Sequence, residues 1–241
     1  MEIIYDYPVV VSLIVIATIV YYIFKKHVTE KMNAMYKTYK KVPTFTGLTG
    51  AEAARKLLDA NDLFQVKVEQ SAQGAWSDHY DSYAKTVRLS KNHFNRSSLI
   101  GITIAAHEVG HAIQDRDKNY SYRFQQKLFS FIVFVMKFHV QTILIILGIG
   151  LILFAVFGLE RENVLMTPTF ISGGVLAVVG LILPILELVF SIATLKVETD
   201  ASYRAINEMK RMEMIGNAEE EQRVKEILDV ARLTYVIAVF E

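Results

Sequence analysis

The sequence predicts a mainly α, integral membrane fold: about three transmembrane helices plus a cytoplasmic α+β portion with a small antiparallel sheet. Three observations carry this expectation. The 241 residues are 52% hydrophobic, with three apolar runs that read as spans. Short alternating segments read as strands. One stretch, Ala106-His107-Glu108-Val109-Gly110-His111-Ala112, gathers the groups best suited to bond-breaking chemistry. The absence of cysteine excludes disulfides and thiolate metal ligands. A net charge of +1, with Lys and Arg scattered, gives no basic stripe for nucleic acid.

In chain order, Pro8 to Phe24 is apolar and free of charge. A cleaved signal peptide is the rival reading, but here acids precede the run and Lys25-Lys26 follow it, which favours an uncleaved anchor. Lys25, Lys26, Lys31, Lys37, Lys40 and Lys41 place the chain beyond it in the cytoplasm by the positive-inside rule. His27 to Lys41 reads as a helical or irregular stalk. Thr49-Gly50-Ala51-Glu52 is a capping box that opens a helix to about Ala60. Val66 to Glu69 and Thr86 to Leu89 alternate as strands do, and between them lies the polar cluster Trp76-Ser77-Asp78-His79-Tyr80-Asp81. Val87 to Leu89 is either an edge that captures extended peptide or a covered strand. The cluster is either an active-site element or a surface turn.

Leu99 to Ala106 forms an apolar lead-in to a helix capped by Ser97 or Ser98. The second and third spans run from about Phe138 to Leu159 and from about Pro168 to Ala193, with the loop Glu160 to Asn163 outside. The chain after about Thr194 therefore returns to the cytoplasm. It continues as charged helices that carry Val197-Glu198-Thr199-Asp200-Ala201-Ser202. Four portions result: a membrane anchor over 1–24, a cytoplasmic catalytic portion over 25–130, two transmembrane helices over 131–193 and cytoplasmic helices over 194–241. Leu233 to Phe240 is apolar but too short to span.

The pattern His-Glu-x-x-His gives the chain its chemistry. Residues four apart share a helix face, so His107 and His111 can address one metal ion. Two histidines and a carboxylate hold zinc with an open position for water, and the intervening Glu108 takes that water's proton as general base. Gly110 leaves room beside the metal face. Glu198, one to two turns past the third span and on the same side of the membrane, is the third ligand. Asp200 would orient a histidine by accepting its other ring N–H, or would itself be the ligand. His79 and Tyr80 are candidate catalytic donors to the developing oxyanion, with Asp78 beside them. His27, His93 and His139 read as non-ligands, and Glu187 as an intramembrane or interfacial carboxylate.

These residues resemble the YugP-like family of membrane-bound neutral zinc metallopeptidases. The likeness runs in order through Gly47-Leu48-Thr49-Gly50-Ala51, Ser77 to Asp81, Val87 to Ser90, Ala105 to Gln114, Val197-Glu198 and Asp200-Ala201-Ser202. The resemblance implies a zincin-like domain with Zn2+ held by His107, His111 and Glu198, Glu108 as base, and an active-site role for Asp78 to Asp81. The expected protein is a multi-pass zinc endopeptidase of a prokaryotic cell membrane, with its active site facing the cytoplasm. Its expected partners are the lipid bilayer, a membrane-associated protein or peptide substrate and a membrane protein partner. A non-catalytic zinc-binding adaptor and an intramembrane site-2-type protease are the alternatives.

Overall fold

The computed structural model describes residues 7–74, 77–134, 186 and 189–238. The elements are α1 (Tyr7–Tyr39), α2 (Gly50–Asp59), β1 (Lys67–Gln70), β2 (His79–Asp81), β3 (Thr86–Leu89), α3 (Lys91–Phe94) and α4 (Leu99–Arg116). They are followed by α5 (120–134), α6 (189–211) and α7 (Ala218–Ala238). Described residues up to Asn119 and from Val197 onward form one compact unit, and those from Tyr120 to Lys196 form another.

The integral membrane fold expected above is not found. Among the described residues, no helix is long and apolar enough to cross a membrane. The charge-free run Pro8 to Phe24 covers only about 25 Å at 1.5 Å per residue, short of a hydrocarbon core of about 30 Å. It is also not a separate element. α1 continues through Lys25, Lys26, Glu30 and Lys31 to Tyr39, and Val28, Met35 and Tyr39 are buried. The expected stalk is therefore part of the folded unit, fastened by Tyr39 Oη donating to Glu226 Oε2 of α7 at 2.7 Å. The expected span Phe138 to Leu159, the loop 160–163, Glu187 and most of Pro168 to Ala193 lie outside the described residues.

The sheet is mixed rather than antiparallel. Its order is β1-β3-β2, with β1 parallel and β2 antiparallel to β3. Residues 71–85 are long enough to cross over and return β3 parallel to β1. Part of the polar cluster then supplies β2, which pairs on the other side through His79↔Arg88, Tyr80↔Val87 and Asp81↔Thr86. Val87 and Leu89 thus lie on the central strand and are fully buried. The edges are β1 and β2.

α2 follows its sequence closely. Thr49 Oγ1 accepts from Glu52 N at 3.3 Å and Thr49 N donates to Glu52 Oε2 at 2.8 Å, which completes the capping box. Ala53, Ala54, Leu57 and Leu58 form a fully buried stripe that packs on α4. α4 is capped by Ser98, whose Oγ accepts from Gly101 N at 3.3 Å. Every residue from Leu99 to Gln114 is buried. α4 is thus the central helix of the core, with α2, the sheet and α7 packed around it.

Candidate metal centre

Because α4 is enclosed on all sides, its polar side chains must find partners inside the protein. His107 and His111 stand one turn apart with ring centroids 4.8 Å from each other. They meet a carboxylate from α6: Glu198 Oε2 lies 2.9 Å from His107 Nε2 and 3.4 Å from His111 Nε2. One ligand atom from each residue falls within 4.8 Å of the others, and all three residues are buried. Two imidazole nitrogens and one carboxylate oxygen converging in a buried site fit a zinc ion, and among the described residues these three donors leave it a coordination position to spare.

Electrostatics follow from this closeness. Burial alone would raise the Glu198 carboxyl, but the charge of His111 and the hydrogen bond from His107 outweigh it and hold the pKa at about 2. Burial alone would lower His111, yet the charge and hydrogen bond of Glu198 push it up to about 9. Without a metal ion, a proton on His111 therefore supplies the positive charge that the carboxylate needs. Glu108 is different. Burial raises it above the usual carboxylate range, the imidazoles of His107 and His111 pull it down, and Asp78 and Glu198 add to the rise. A carboxylate that is eager for a proton suits a general base.

The approach of α6 to α4 depends on Gly110. A Cβ at this position would lie 2.5 Å from the backbone oxygen of Ala201, so only glycine lets the two helices come this close. Ser202, one turn after Glu198, puts its Oγ 3.3 Å from His107 Nδ1. Asp200 does not meet a histidine, contrary to the expectation. Gln114 intervenes: its Oε1 lies 2.9 Å from His111 Nδ1, and its Nε2 donates to Asp200 Oδ2 at 2.8 Å and to Val197 O at 2.9 Å. Asp200 is further held by Arg204 Nε at 2.8 Å, and Arg204 Nη1 reaches Asp117 Oδ2 at 2.6 Å.

The polar cluster divides. The side chain of Asp78 is buried and accepts from Ser90 N at 2.7 Å, with its Oδ2 2.9 Å from His93 Nδ1. His93 is thereby a partner of Asp78 and Ser90. Tyr80 shares the sheet face of Val87 and turns its hydroxyl to Asp115 Oδ2 at 2.8 Å, one helical turn beyond His111. His79 lies on the opposite face with Arg88 and Asp81, its Nδ1 2.9 Å from the carbonyl oxygen of Ser77. The side chain that this strand sends to α4 is therefore Tyr80 rather than His79. His27 is exposed, and His139 and Trp76 lie outside the described residues.

The family described as "Putative neutral zinc metallopeptidase" matches residues 11–241. This chain belongs to that family. It is also similar to the "Putative membrane protease YugP" of Bacillus subtilis (strain 168), with 34% identity over 208 residues that cover 86% of this chain and 82% of the relative. No solved structure matches it. Membership points to a hydrolase that uses zinc, and the buried donors His107, His111 and Glu198 are compatible with such an ion.

Gln114 and Ser202 are the site residues whose roles sequence reasoning missed. Gln114 could have been found from spacing, because i+3 from His111 on a helix reaches the same face. Ser202 stands at i+4 from Glu198, and the same rule applies.

Proposed function

We propose that this chain is a zinc-dependent endopeptidase working at the cytoplasmic surface of the cell membrane. The observation that carries the reading is the buried convergence of His107, His111 and Glu198 beside a buried, proton-seeking Glu108. His107 Nε2, His111 Nε2 and one Glu198 oxygen would hold the ion. When bound, zinc supplies Lewis acidity and a water that is nucleophilic near neutral pH. Glu108 accepts the proton released as the nucleophile forms and returns it to the leaving amine. β2 packs against α4, and among the described residues its outer edge carries no partner strand. Extended substrate adds there through backbone hydrogen bonds. This replaces Val87 to Leu89 as the docking strand.

The membrane location has two supports. The relative is called a membrane protease, and Ile16, Ile19, Val20, Tyr22 and Ile23 on α1 are each more than half exposed just before Lys25 and Lys26. An apolar surface edged by cations suits the interface of an anionic bilayer. Against a purely structural zinc site stands the count of three donors among the described residues, since structural zinc is normally closed by four protein ligands.

Glu108→Gln tests the reading. The variant should retain zinc, because Glu108 is not one of the three donors, and lose peptide hydrolysis by at least about 100-fold. Undiminished turnover in metal-verified Glu108→Gln protein would sink the assignment. Zinc content of His107→Ala, Glu198→Ala and Asp200→Ala on matched preparations tests the ligand set, with loss expected in the first two.

A further inference from the structure

We propose that Gln114 is the positioning residue that fixes His111 as an Nε2 ligand and ties it to the helix bearing Glu198; this rests on the metallopeptidase reading above. Gln114 is fully buried, three residues after His111. One atom of its amide lies 2.9 Å from Val197 O and 2.8 Å from Asp200 Oδ2. A backbone carbonyl and a carboxylate paired with Arg204 both accept, so that atom is the NH2 group and both its protons are used. The other amide atom is therefore the carbonyl oxygen, 2.9 Å from His111 Nδ1. A carbonyl only accepts. His111 must carry its proton on Nδ1, which leaves Nε2 as the nitrogen that faces Glu198 Oε2 at 3.4 Å.

The orientation of the amide is itself fixed from outside. Asp200 takes bonds from Arg204 Nε at 2.8 Å and from Asn119 Nδ2 at 3.3 Å, besides the one from Gln114. Asp200 thus acts on His111 through Gln114. The bond to Val197 O also joins the HExxH helix to the residue before Glu198, so one side chain holds two of the three donors in register. His107 has no equivalent device in Ser202, because a hydroxyl both donates and accepts and does not dictate a tautomer.

The test uses the full chain and Zn2+. Nitrogen-15 NMR of the His111 ring in zinc-loaded wild type should show a protonated Nδ1 and a metal-bound Nε2; zinc on Nδ1 would overturn the proposal without recourse to any variant. Gln114→Met, close in volume but lacking both bonds, should bind Zn2+ about 10- to 100-fold more weakly in chelator competition and alter the visible spectrum of the Co2+-loaded protein. Asp200→Ala should weaken binding less, since Val197 O still orients the amide. Wild-type affinity and an unchanged Co2+ spectrum in Gln114→Met would overturn this proposal alone, whereas wild type that binds no Zn2+ would overturn the functional reading.

Discussion

At the scale of single residues, the site is a set of mutually dependent charges. Glu198 at about 2 is already ionised throughout the neutral range, so it contributes no proton when a metal binds. His111 at about 9 is protonated there, and its proton must leave before Nε2 can act as a ligand. The sign follows: acid favours the protonated, metal-free form, and base favours the loaded one. Between about pH 7 and 9, zinc affinity should fall roughly tenfold for each unit of acidification through His111. Calorimetry in buffers of different ionisation enthalpy should count about one proton released per zinc near pH 7. Glu198→Gln removes the charge that raises His111, so the variant should release fewer protons as well as bind zinc more weakly. Proton release equal to wild type in that variant would contradict the proposed coupling.

At the scale of elements, the two helices that carry the donors must lie nearly in contact, and Gly110 is the residue that permits it. Gly110→Ala sets a methyl 2.5 Å from a backbone oxygen that cannot swing aside. The variant should lose about 1–3 kcal/mol of stability in urea unfolding. Its zinc affinity should fall too, because α6 can relieve the clash only by moving Glu198. Gly74→Ala is the control, with open space around its added methyl; equal stability of the two variants would refute the packing argument. What was legible in the sequence follows the range of each signal. The α2 capping box, the α4 cap and the His-Glu-x-x-His face are local, set by spacings of three and four, and they stand as read. The sheet was misread because pairing is non-local: alternation marks β1 and β3, but nothing in either strand says that β2 would come from the polar cluster and close the far side of β3. The apolar run of α1 reads as a span because hydropathy is summed residue by residue, whereas Val28, Met35 and Tyr39, which tie the same helix into the core, do so only through tertiary partners. Asp200 reads as a direct histidine partner because its carboxylate suits that role, whereas the link through Gln114 depends on how α4 and α6 pack together.

At the scale of the whole molecule, the donors come from helices far apart in the chain. His107 and Glu198 are 91 residues apart, and the described residues from Tyr120 to Lys196 form a compact unit of their own. A metal ion held by α4 and α6 would therefore close a long loop and would bind only the folded arrangement, so its binding free energy adds to stability. At free zinc about a thousandfold above Kd the gain is about 4 kcal/mol, which for a chain of this size raises Tm on the order of 10 °C. Differential scanning calorimetry of metal-stripped and zinc-loaded wild type should record this rise. Glu108→Gln should show it almost in full, because Glu108 takes protons rather than metal. His107→Ala and Glu198→Ala should not show it. The same series thus separates holding the ion from using it: a zinc-dependent rise that survives Glu198→Ala would remove α6 from the ligand set, whereas one abolished by Glu108→Gln would turn the proposed base into a ligand.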